Sequence, residues 1–304
     1  MRAFVDKHRD VYGVEPICKV LQIAPSGYRC HAARKRKPEL LCARAKRDET
    51  LMPQIQAVWQ ANMQVYGADK VWHQMNREGN KVARCTVERL MKRLGLHGVR
   101  RGKVIRTTVP DKAAPCPLDR VNRQFKADRP NQLWVSDFTY VSTWQGWQYV
   151  AFVIDVFARR IVGWRVSSSM RTDFVLDALE QALFDRQPER SDALIHHSDR
   201  GSQYVSILYT ERLAEAGIEP SVGSRGDSYD NALAETINGL YKAELIHRRA
   251  PWKTKEALEL ATLEWVAWFN HHRLLSSIGY IPPAEAEVNY YRQLAGKNET
   301  EVST

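Results

Sequence analysis

Three acidic residues, far apart along the chain, have the type and spacing of a divalent-metal site. Asp137 interrupts an apolar run, Asp199 follows a second short apolar run, and Glu235 comes after a further gap of 35 residues. Mg²⁺ takes hard oxygen ligands, and two such ions about 4 Å apart can activate an attacking oxygen and stabilise a leaving one in phosphoryl transfer. Each carboxylate alone is best explained as a solvated surface charge, so the prediction depends on the three together.

The two aspartates are predicted to lie on or beside strands. Residues 132–141 are rich in β-branched and aromatic side chains, which predicts a strand with Asp137 inside it. A carboxylate buried there needs a partner or a metal, because burying an isolated charge is costly. Residues 193–197 predict another short strand, and Asp199 lies just past its end.

The third carboxylate is predicted to lie on a helix. Residues 230–246 have apolar side chains at helical spacing, and Glu235, Asn238 and Lys242 fall on one face of that helix. Glu235 can therefore face a metal ion while Lys242, seven residues later, faces a phosphate.

The order of elements after residue 125 predicts an α/β fold of the ribonuclease H-like kind. Its order is β-β-β-α-β-α-β-α, which gives a mixed five-stranded sheet with flanking helices on both faces. The predicted strands and helices are 132–141, 148–156, 160–167, 172–184, 193–197, 204–216, 218–222 and 230–246. Asp155, at the end of the second strand, is interpreted as a turn-capping residue and not as a catalytic one. A Trp-rich helix after Lys253 has the spacing of a core face, with base stacking as the less favoured use.

Residues 50–102 are predicted to form an all-α helix-turn-helix domain. Apolar stripes define a first helix that ends near Gly67, a second over 68–77 and a third over 84–94. The last helix of such a unit enters the major groove of DNA. Its outer, basic side holds the predicted DNA contacts, which are Arg84, Thr86, Arg89, Lys92 and Arg93. The pattern alone is weak, since many three-helix units bind nothing.

Charge is divided unevenly along the chain. Residues 1–126 carry a net charge of +16, whereas residues 127–304 carry −6. The asymmetry favours a nucleic-acid-binding front ahead of a metal-binding body over chance variation of a mixed-sign surface. The chain is predicted to begin with a basic helical segment (1–49) and the helix-turn-helix domain (50–102). A linker (103–124), a catalytic core (125–287) and a polar tail that frays (288–304) follow. The basic segment fits a solvated face and a DNA-backbone contact equally well.

Composition excludes several classes of protein. Five cysteines without a CxxC pair indicate reduced thiols and not a zinc site or a disulfide framework. No apolar run approaches the length of a membrane span and the first residues have no signal-peptide pattern, so we expect a soluble protein of the cytoplasm.

Two further segments are candidates for a place in the functional site. His196 and His197 are neighbours in a predicted strand and point to opposite faces, so they cannot share one ion. His197 shares a face with Asp199 and is an open candidate for a place near the site. Residues 221–228 predict a mobile loop that DNA or metal orders, with Arg225 as a candidate DNA contact.

These motifs together resemble the transposases of the bacterial IS3 insertion-sequence family, in their second-frame product. That family shares a catalytic core with retroviral integrases, in which two Asp and a Glu after a 35-residue gap are followed by Lys or Arg seven residues on. The matching residues are Trp134, Asp137, Thr139, Tyr140, His197, Asp199, Arg200, Gly201, Gln203, Tyr204, Asp230, Asn231, Ala232, Glu235, Lys242, Asn270, Arg273, Gly279 and Pro283. The resemblance runs from about residue 50 to 287, and Leu275 stands where the family usually has His.

The resemblance implies a DNA transposase of the DDE type, in which Asp137, Asp199 and Glu235 hold two Mg²⁺ ions, with Mn²⁺ as a substitute. Lys242 and Arg200 are then expected to hold DNA phosphates. The expected partners are the terminal inverted repeats, the target DNA, further copies of the chain and the product of an upstream reading frame, in the bacterial nucleoid. Two alternatives stay open, which are a ribonuclease H-like nuclease that only hydrolyses and a non-catalytic DNA-binding regulator.

Overall fold

The computed structural model of the protein describes residues 1–100, 102, 126–189, 193–198, 204, 206–222 and 232–302, with the backbone alone for 207, 222 and 298–302. Asp199, Arg200, Arg225 and the whole predicted linker, 103–124, lie outside these described residues. Within them, no helix combines the length and the apolar character needed to cross a membrane.

The basic N-terminal segment folds into three helices, α1 (Arg2–Tyr12), α2 (Val14–Val20) and α3 (Pro25–Arg36). Their apolar residues are few, and they bury a small core of their own made by Val5, Ile17, Cys18 and Tyr28. The Tyr28 hydroxyl donates a hydrogen bond of 2.7 Å to Asp6 and so ties α3 to α1. The segment was expected to be partly helical, and the structure makes most of it helical.

The helix-turn-helix unit consists of α4 (Ala43–Ala61), α5 (Ala68–Arg77) and α6 (Arg84–Leu94). The second and third helices have the predicted bounds, because the turn at Glu78–Asn80 and the left-handed cap at Gly95 fix their ends. The first helix begins at Ala43 and therefore crosses the predicted boundary at residue 50. The three helices bury one shared core, which includes Ile55, Val58, Val71, Met75, Val87 and Leu90.

A mixed five-stranded sheet forms the second part of the chain, with the order β3-β2-β1-β4-β5. The strands are β1 (Leu133–Thr143), β2 (Gly146–Asp155), β3 (Arg160–Ser167), β4 (Ile195–Ser198) and β5 (Glu219–Val222). The first three form an antiparallel meander, whereas β1 with β4 and β4 with β5 are parallel pairs. The β1–β2 hairpin turns tightly at Gly146, whose φ of 103° favours glycine. The predicted ribonuclease H-like fold is confirmed.

Helices cover both faces of the sheet because β1 and β2 alternate apolar side chains to each face. On one face α7 (Thr172–Arg186) and α8 (Ile207–Glu215) pack on Trp134, Ala151 and Val153. At Gly163, a β-carbon would lie 2.1 Å from the Ala178 carbonyl oxygen, so α7 approaches β3 more closely than any other residue there would allow.

The opposite face is covered by α9 (Ala232–Tyr241) and α11 (Lys255–His271), which pack on Val135, Val150 and Phe152. Between them lie a π-helical turn, Lys242–Ile246, and the short α10 (His247–Arg249). The Trp-rich α11 is a packing helix as predicted, since Trp265 and Trp268 are buried. Helix α12 (Pro283–Val302) continues through the region expected to fray, so the prediction of a frayed tail from residue 288 was wrong up to Val302.

The helix-turn-helix unit is docked on the C-terminal helices of the core. Tyr66 donates a hydrogen bond to the His272 carbonyl oxygen at 3.1 Å and accepts one from the Leu274 amide at 2.7 Å. Trp268 donates to Asn62 from the other side of this contact. The buried apolar core is continuous across it, so these two parts of the chain pack as one body.

Candidate active site

Asp137 lies where the pairing of the two central parallel strands ends. The last residue pair between β1 and β4 is Ser136 with Ser198, and Asp137 is the next residue of β1. Beyond that pair, β1 continues to pair with β2, and within the described residues its other edge has one further bridge, from Thr143 to Trp252. Ligands of such sheets bind outside the carboxyl ends of the parallel strands, and Asp137 is at that place.

Helix α9 reaches Asp137 through an amide. The Asn238 Nδ2 group donates a hydrogen bond of 2.8 Å to Asp137 Oδ2, while the Phe138 amide donates one of 2.8 Å to Oδ1. Both oxygens of Asp137 are thereby oriented from the protein side. Asn238 is buried, and its Oδ1 atom makes no hydrogen bond within the described part of the chain.

Lys242 occupies the same surroundings at the start of the π-helical turn. Its Nζ atom lies 4.7 Å from the centre of the Tyr140 ring, in a cation–π contact. Partial burial lowers the pKa of Lys242, and the negative charge of Asp137 acts in the opposite direction. The Lys242 ammonium therefore lies close enough to Asp137 to feel its charge.

Glu235 lies in the first turn of α9, three residues before Asn238 and seven before Lys242, and its side chain is exposed. The helix thus presents these three side chains on one face, as the sequence predicted. The structure brings Asp137, Asn238 and Lys242 together and places Glu235 on the same helix face. Asp199 lies outside the described residues, directly after Ser198 of β4.

The side-chain atoms on this face that could bind a metal ion are oxygens. Asp137 and Glu235 supply carboxylates, and Asn238 supplies a buried carbonyl oxygen beside them. Such a hard set suits Mg²⁺ or Mn²⁺ and disfavours softer metals. Among the described residues alone, no three His, Cys, Asp or Glu side chains are grouped closely enough to hold a metal ion.

Both histidines beside the site have protein partners. The Nε2 atom of His196 lies 2.7 Å from Ser136 Oγ and 3.1 Å from the Tyr209 hydroxyl, on the face covered by α8. Burial lowers the pKa of His196 to about 3, with a further contribution from His197. On the other side, His197 Nδ1 lies 3.0 Å from Ser221 Oγ of β5. The two rings take separate partners, which agrees with the prediction that they cannot share an ion.

Asp155 has the turn-capping role that the sequence predicted, within a larger ion cluster. Its Oδ1 atom accepts a hydrogen bond of 2.9 Å from the Phe157 amide, and its Oδ2 accepts one of 2.7 Å from the Asn131 amide. Arg186 bridges Asp155 and Glu287 of α12. Burial raises the pKa of Asp155, against the effect of its hydrogen bonds and of Arg186. This cluster joins α7 and α12 to the sheet.

The predicted DNA contacts on α6 fall into two groups. Arg84, Lys92 and Arg93 are exposed, and Thr86 is partly exposed. Arg89 instead forms two hydrogen bonds with Asp48 of α4, at 2.7 and 2.8 Å, and this contact lowers the pKa of Asp48. The Arg89 guanidinium therefore contributes to joining α4 with α6.

Sequence reasoning missed two features of the site. It placed Asn238 on the helix face without assigning it a partner, although an Asn one turn after a candidate metal carboxylate is a usable signal. It also missed the buried ion pair between Arg273 and Glu244, in which Nη2 lies 2.5 Å from Oε1 and Glu244 is two residues after Lys242. No pattern of polar residues around Glu244 in the sequence indicates that it forms a buried ion pair.

Comparison with known families agrees with this architecture. The HTH-like domain family matches residues 46–104, and two models of the integrase core domain match residues 127–228 and 216–283. A solved structure of the HTLV-2 integrase catalytic core domain in complex with magnesium covers 53% of this chain and 98% of its own, at 16% identity and a TM-score of 0.42.

Sequence relatives extend over nearly the whole chain. The transposase for insertion sequence element IS629 of Shigella sonnei is 60% identical over 97% of this chain and 98% of its own length. A putative transposase for IS986/IS6110 of Mycobacterium tuberculosis strain H37Rv is 58% identical over 90% and 98%. Transposase InsF for insertion sequence IS3A of Escherichia coli K12 is 28% identical over 93% and 97%.

An integrase core preceded by an HTH-like domain defines an enzyme of the integrase class. Enzymes of this class are polynucleotidyl transferases. Within that class, the chain belongs to the IS3 family of insertion-sequence transposases. The resemblance drawn from the sequence motifs is thereby confirmed.

Proposed function

We propose that this transposase cleaves and joins DNA strands at the ends of its insertion sequence by a two-metal mechanism that uses Asp137, Asp199 and Glu235. Its substrates are double-stranded DNA, namely the terminal inverted repeats of the element and the target DNA. The observation that carries the proposal is the hydrogen bond from Asn238 to Asp137, because it joins the helix of Glu235 to the strand of Asp137.

The register of the sheet supports the place given to the second aspartate. Ser136 and Ser198 are paired in the parallel strands β1 and β4. Asp137 directly follows Ser136 in the sequence, and Asp199 directly follows Ser198. In this proposal, the two carboxylates therefore lie at the same end of the paired strands. The three carboxylates would hold two Mg²⁺ or Mn²⁺ ions, which supply Lewis-acid stabilisation of the attacking and leaving oxygens when bound.

The protein side chains have separate tasks in the reaction. Water first attacks a phosphodiester at the end of the element and frees a 3′ hydroxyl, which then attacks a strand of the target DNA. Lys242 and Arg200 hold phosphates near the reacting bond. Asn238 holds the Asp137 carboxylate in one orientation. No covalent bond between protein and DNA forms in this scheme.

The front of the chain would supply DNA recognition. Arg84, Thr86, Lys92 and Arg93 lie on the outer side of α6 and are proposed to contact DNA. Arg225, in the predicted loop 221–228, is a further proposed contact. Arg89 is proposed as a weaker contact, since Asp48 already accepts two of its N–H groups. Paired ends require more than one copy of the chain, so a homo-oligomer in the bacterial nucleoid is part of the proposal, with the upstream-frame product as a further partner.

The substitution Glu235→Gln tests the mechanism. It keeps the shape of the side chain and removes its charge, so joining of a labelled element end to plasmid DNA in Mg²⁺ should fall below detection while DNA affinity stays within a few-fold. Glu256→Gln, in an exposed first turn of α11, is the matched control. Joining that survives Glu235→Gln, or that persists in a chelator, would reject the mechanism.

The same assay separates the two alternatives. A nuclease that only hydrolyses would cut the end and give no joined product at any Mg²⁺ concentration. A non-catalytic regulator would bind the end equally well before and after Glu235→Gln and would neither cut nor join.

A further inference from the structure

The β1–β2 hairpin exposes three large aromatic side chains next to the candidate active site. Tyr140, Trp144 and Trp147 are 55%, 69% and 56% exposed, and they are named here the aromatic strip. Tyr140 and Trp147 meet edge to face, with ring centres 5.3 Å apart. Large apolar side chains that are exposed close together usually indicate a surface that binds a partner.

The hairpin that carries the strip is held in place. The Trp144 amide donates a hydrogen bond of 3.0 Å to the Trp252 carbonyl oxygen, and the Lys255 amide donates one of 3.0 Å to the Gln145 side chain. Thr143 Oγ1 closes the turn with a bond of 2.7 Å to the Gly146 carbonyl oxygen. These contacts fix the backbone beneath the rings, so the strip is preorganised and loses little conformational entropy on binding.

Two lysines accompany the aromatic rings. Lys242 Nζ lies 4.7 Å from the centre of the Tyr140 ring, and Lys253 Nζ lies 5.4 Å from that of Trp144. Each ammonium therefore stands beside a ring face, which is the arrangement of sites that hold a base by stacking and its phosphate by charge. A purely apolar partner would gain nothing from these charges and would bury them at a cost.

The strip is also continuous with the site proposed for catalysis. Tyr140 lies three residues after Asp137 on β1, beyond the last residue pair of β1 with β4, so the two side chains leave opposite faces of the strand beside the same edge. Lys242 links the two, because it contacts Tyr140 and feels the charge of Asp137. In the proposed site, DNA that reaches Asp137 also reaches Lys242 and the Tyr140 ring that this lysine contacts.

We propose that the aromatic strip binds unpaired bases of the DNA end during cleavage, so that the enzyme takes a frayed end in preference to a fully paired one. The proposal rests on the proposed function and names a feature of its substrate. Aromatic rings stack on any base without reading its sequence, so the strip would stabilise unpaired nucleotides generally. The helix-turn-helix unit is left to recognise the paired part of the end.

A binding measurement tests the strip without any need for catalysis. Two duplexes of one sequence serve as probes, one fully paired and one with the last few pairs mismatched, with Ca²⁺ in place of Mg²⁺. The unsubstituted protein should bind the frayed duplex about tenfold more tightly, as expected for one stacked base. The double variant Trp144→Ala/Trp147→Ala should lose that preference and keep its affinity for the paired duplex.

Matched variants separate stacking from other effects. Trp144→Phe/Trp147→Phe should restore most of the preference, and Phe184→Ala, an exposed ring on α7, should leave it unchanged. Equal affinity of the unsubstituted protein for both duplexes would overturn the proposal. It would also be overturned if the alanine variant kept the preference, or lost a dimer in sedimentation without any change in DNA preference, which would make the strip a protein contact.

The failure of this inference is distinct from failure of the proposed function. Joining that survives Glu235→Gln rejects the catalytic proposal, whatever the two duplexes show. A protein in which Glu235→Gln abolishes joining but which binds frayed and paired ends equally keeps its catalytic proposal and loses the strip.

Discussion

The side-chain amide of Asn238 donates a hydrogen bond to Asp137 across 2.8 Å and thereby joins α9 to the end of β1. These residues are 101 positions apart in the chain. The other polar atom of this amide, Asn238 Oδ1, is buried without a hydrogen-bond partner among the described residues. In the proposed site, the Nδ2 group orients the Asp137 carboxylate. A positioning residue of this kind predicts a measurable dependence of activity on metal concentration.

Replacing Asn238 with alanine should lower the rate of end cleavage by about 10- to 100-fold, the usual effect of removing a hydrogen bond to a metal ligand. The Mg²⁺ concentration needed for half-maximal rate should rise at the same time, since Asp137 is no longer held in one orientation. Cleavage rates across a Mg²⁺ titration check both effects. Asn289→Ala on α12 serves as the control, and unchanged Mg²⁺ dependence in a folded Asn238→Ala protein would contradict the assignment.

Lys242 should contribute one phosphate contact to DNA binding. Each neutralised phosphate adds nearly one to the slope of log affinity against log salt, so Lys242→Gln should reduce that slope by about 1, while Lys242→Arg should retain it. Fluorescence anisotropy on an end duplex over a range of KCl concentrations measures the slope. Lys297→Gln, an exposed position on α12, should leave it unchanged. An unaltered slope for Lys242→Gln would mean that the ammonium does not reach DNA.

His196 should make stability fall in acid. Burial lowers its pKa in the folded protein from 6.5 to about 3, so between these two values the unfolded chain binds a proton that the folded chain does not. The stabilisation is complete above pH 6.5, and it is lost by up to about 1.4 kcal/mol per pH unit as the pH falls below that value.

Urea unfolding at a series of pH values measures this loss, and the comparison with His196→Gln isolates it from other groups. The titratable groups that act on the ring are Tyr209, whose hydroxyl lies 3.1 Å from Nε2, and the neighbouring His197 through its charge. The variant should be less stable at neutral pH, because the partners of Ser136 and Tyr209 change, yet its stability should depend less steeply on pH. Parallel curves for the two proteins would show that His196 does not carry the effect.

Most of the local structure could be predicted from the sequence because its signals are local. Helix α6 and strand β3 have the predicted bounds, 84–94 and 160–167, since periodic apolar residues and a following Gly or turn define them. The face shared by Glu235, Asn238 and Lys242 follows in the same way from helical spacing. What these residues touch could not be predicted, because the hydrogen bond from Asn238 to Asp137 joins distant segments.

The features that escaped prediction are of the same tertiary kind. The sequence predicts Arg89 to be an outward-facing basic residue. In the structure, Asp48, 41 positions away, lies beside it and accepts its hydrogen bond. The π-helical turn that begins at Lys242 replaces the regular helix predicted through residue 246, since no sequence period distinguishes the two. Leu275, where the resemblance predicts His, is buried and its amide donates a hydrogen bond to the Ile281 carbonyl oxygen, so an apolar side chain is accommodated there.

The ion pair of Arg273 with Glu244 should be essential for stability. Both side chains are almost fully buried, and Nη2 lies 2.5 Å from Oε1. Arg273→Met leaves a buried carboxylate without its partner and should cost about 3–5 kcal/mol in the free energy of unfolding. The double variant Arg273→Met/Glu244→Leu should recover part of that loss.

A second ion pair provides the control for this experiment. Arg249 and Glu264 lie 3.3 Å apart and are about half exposed, so Arg249→Met should cost no more than about 1 kcal/mol. Urea unfolding followed by tryptophan fluorescence measures all variants. Equal losses for Arg273→Met and Arg249→Met would show that burial does not set the strength of the pair.

The docking of the helix-turn-helix unit on the core should depend on the Tyr66 hydroxyl. Its donation to the His272 carbonyl oxygen and its acceptance from the Leu274 amide bridge the two parts of the chain, and burial raises the pKa of Tyr66 to about 12. Tyr66→Phe leaves the Leu274 amide buried without a partner, which should cost about 1–3 kcal/mol. Hydrogen exchange should quicken at Leu274, whereas Tyr12→Phe, at an exposed ring on α1, should change neither quantity. If Leu274 exchanges at the same rate in Tyr66→Phe, the two parts are held together by apolar packing alone.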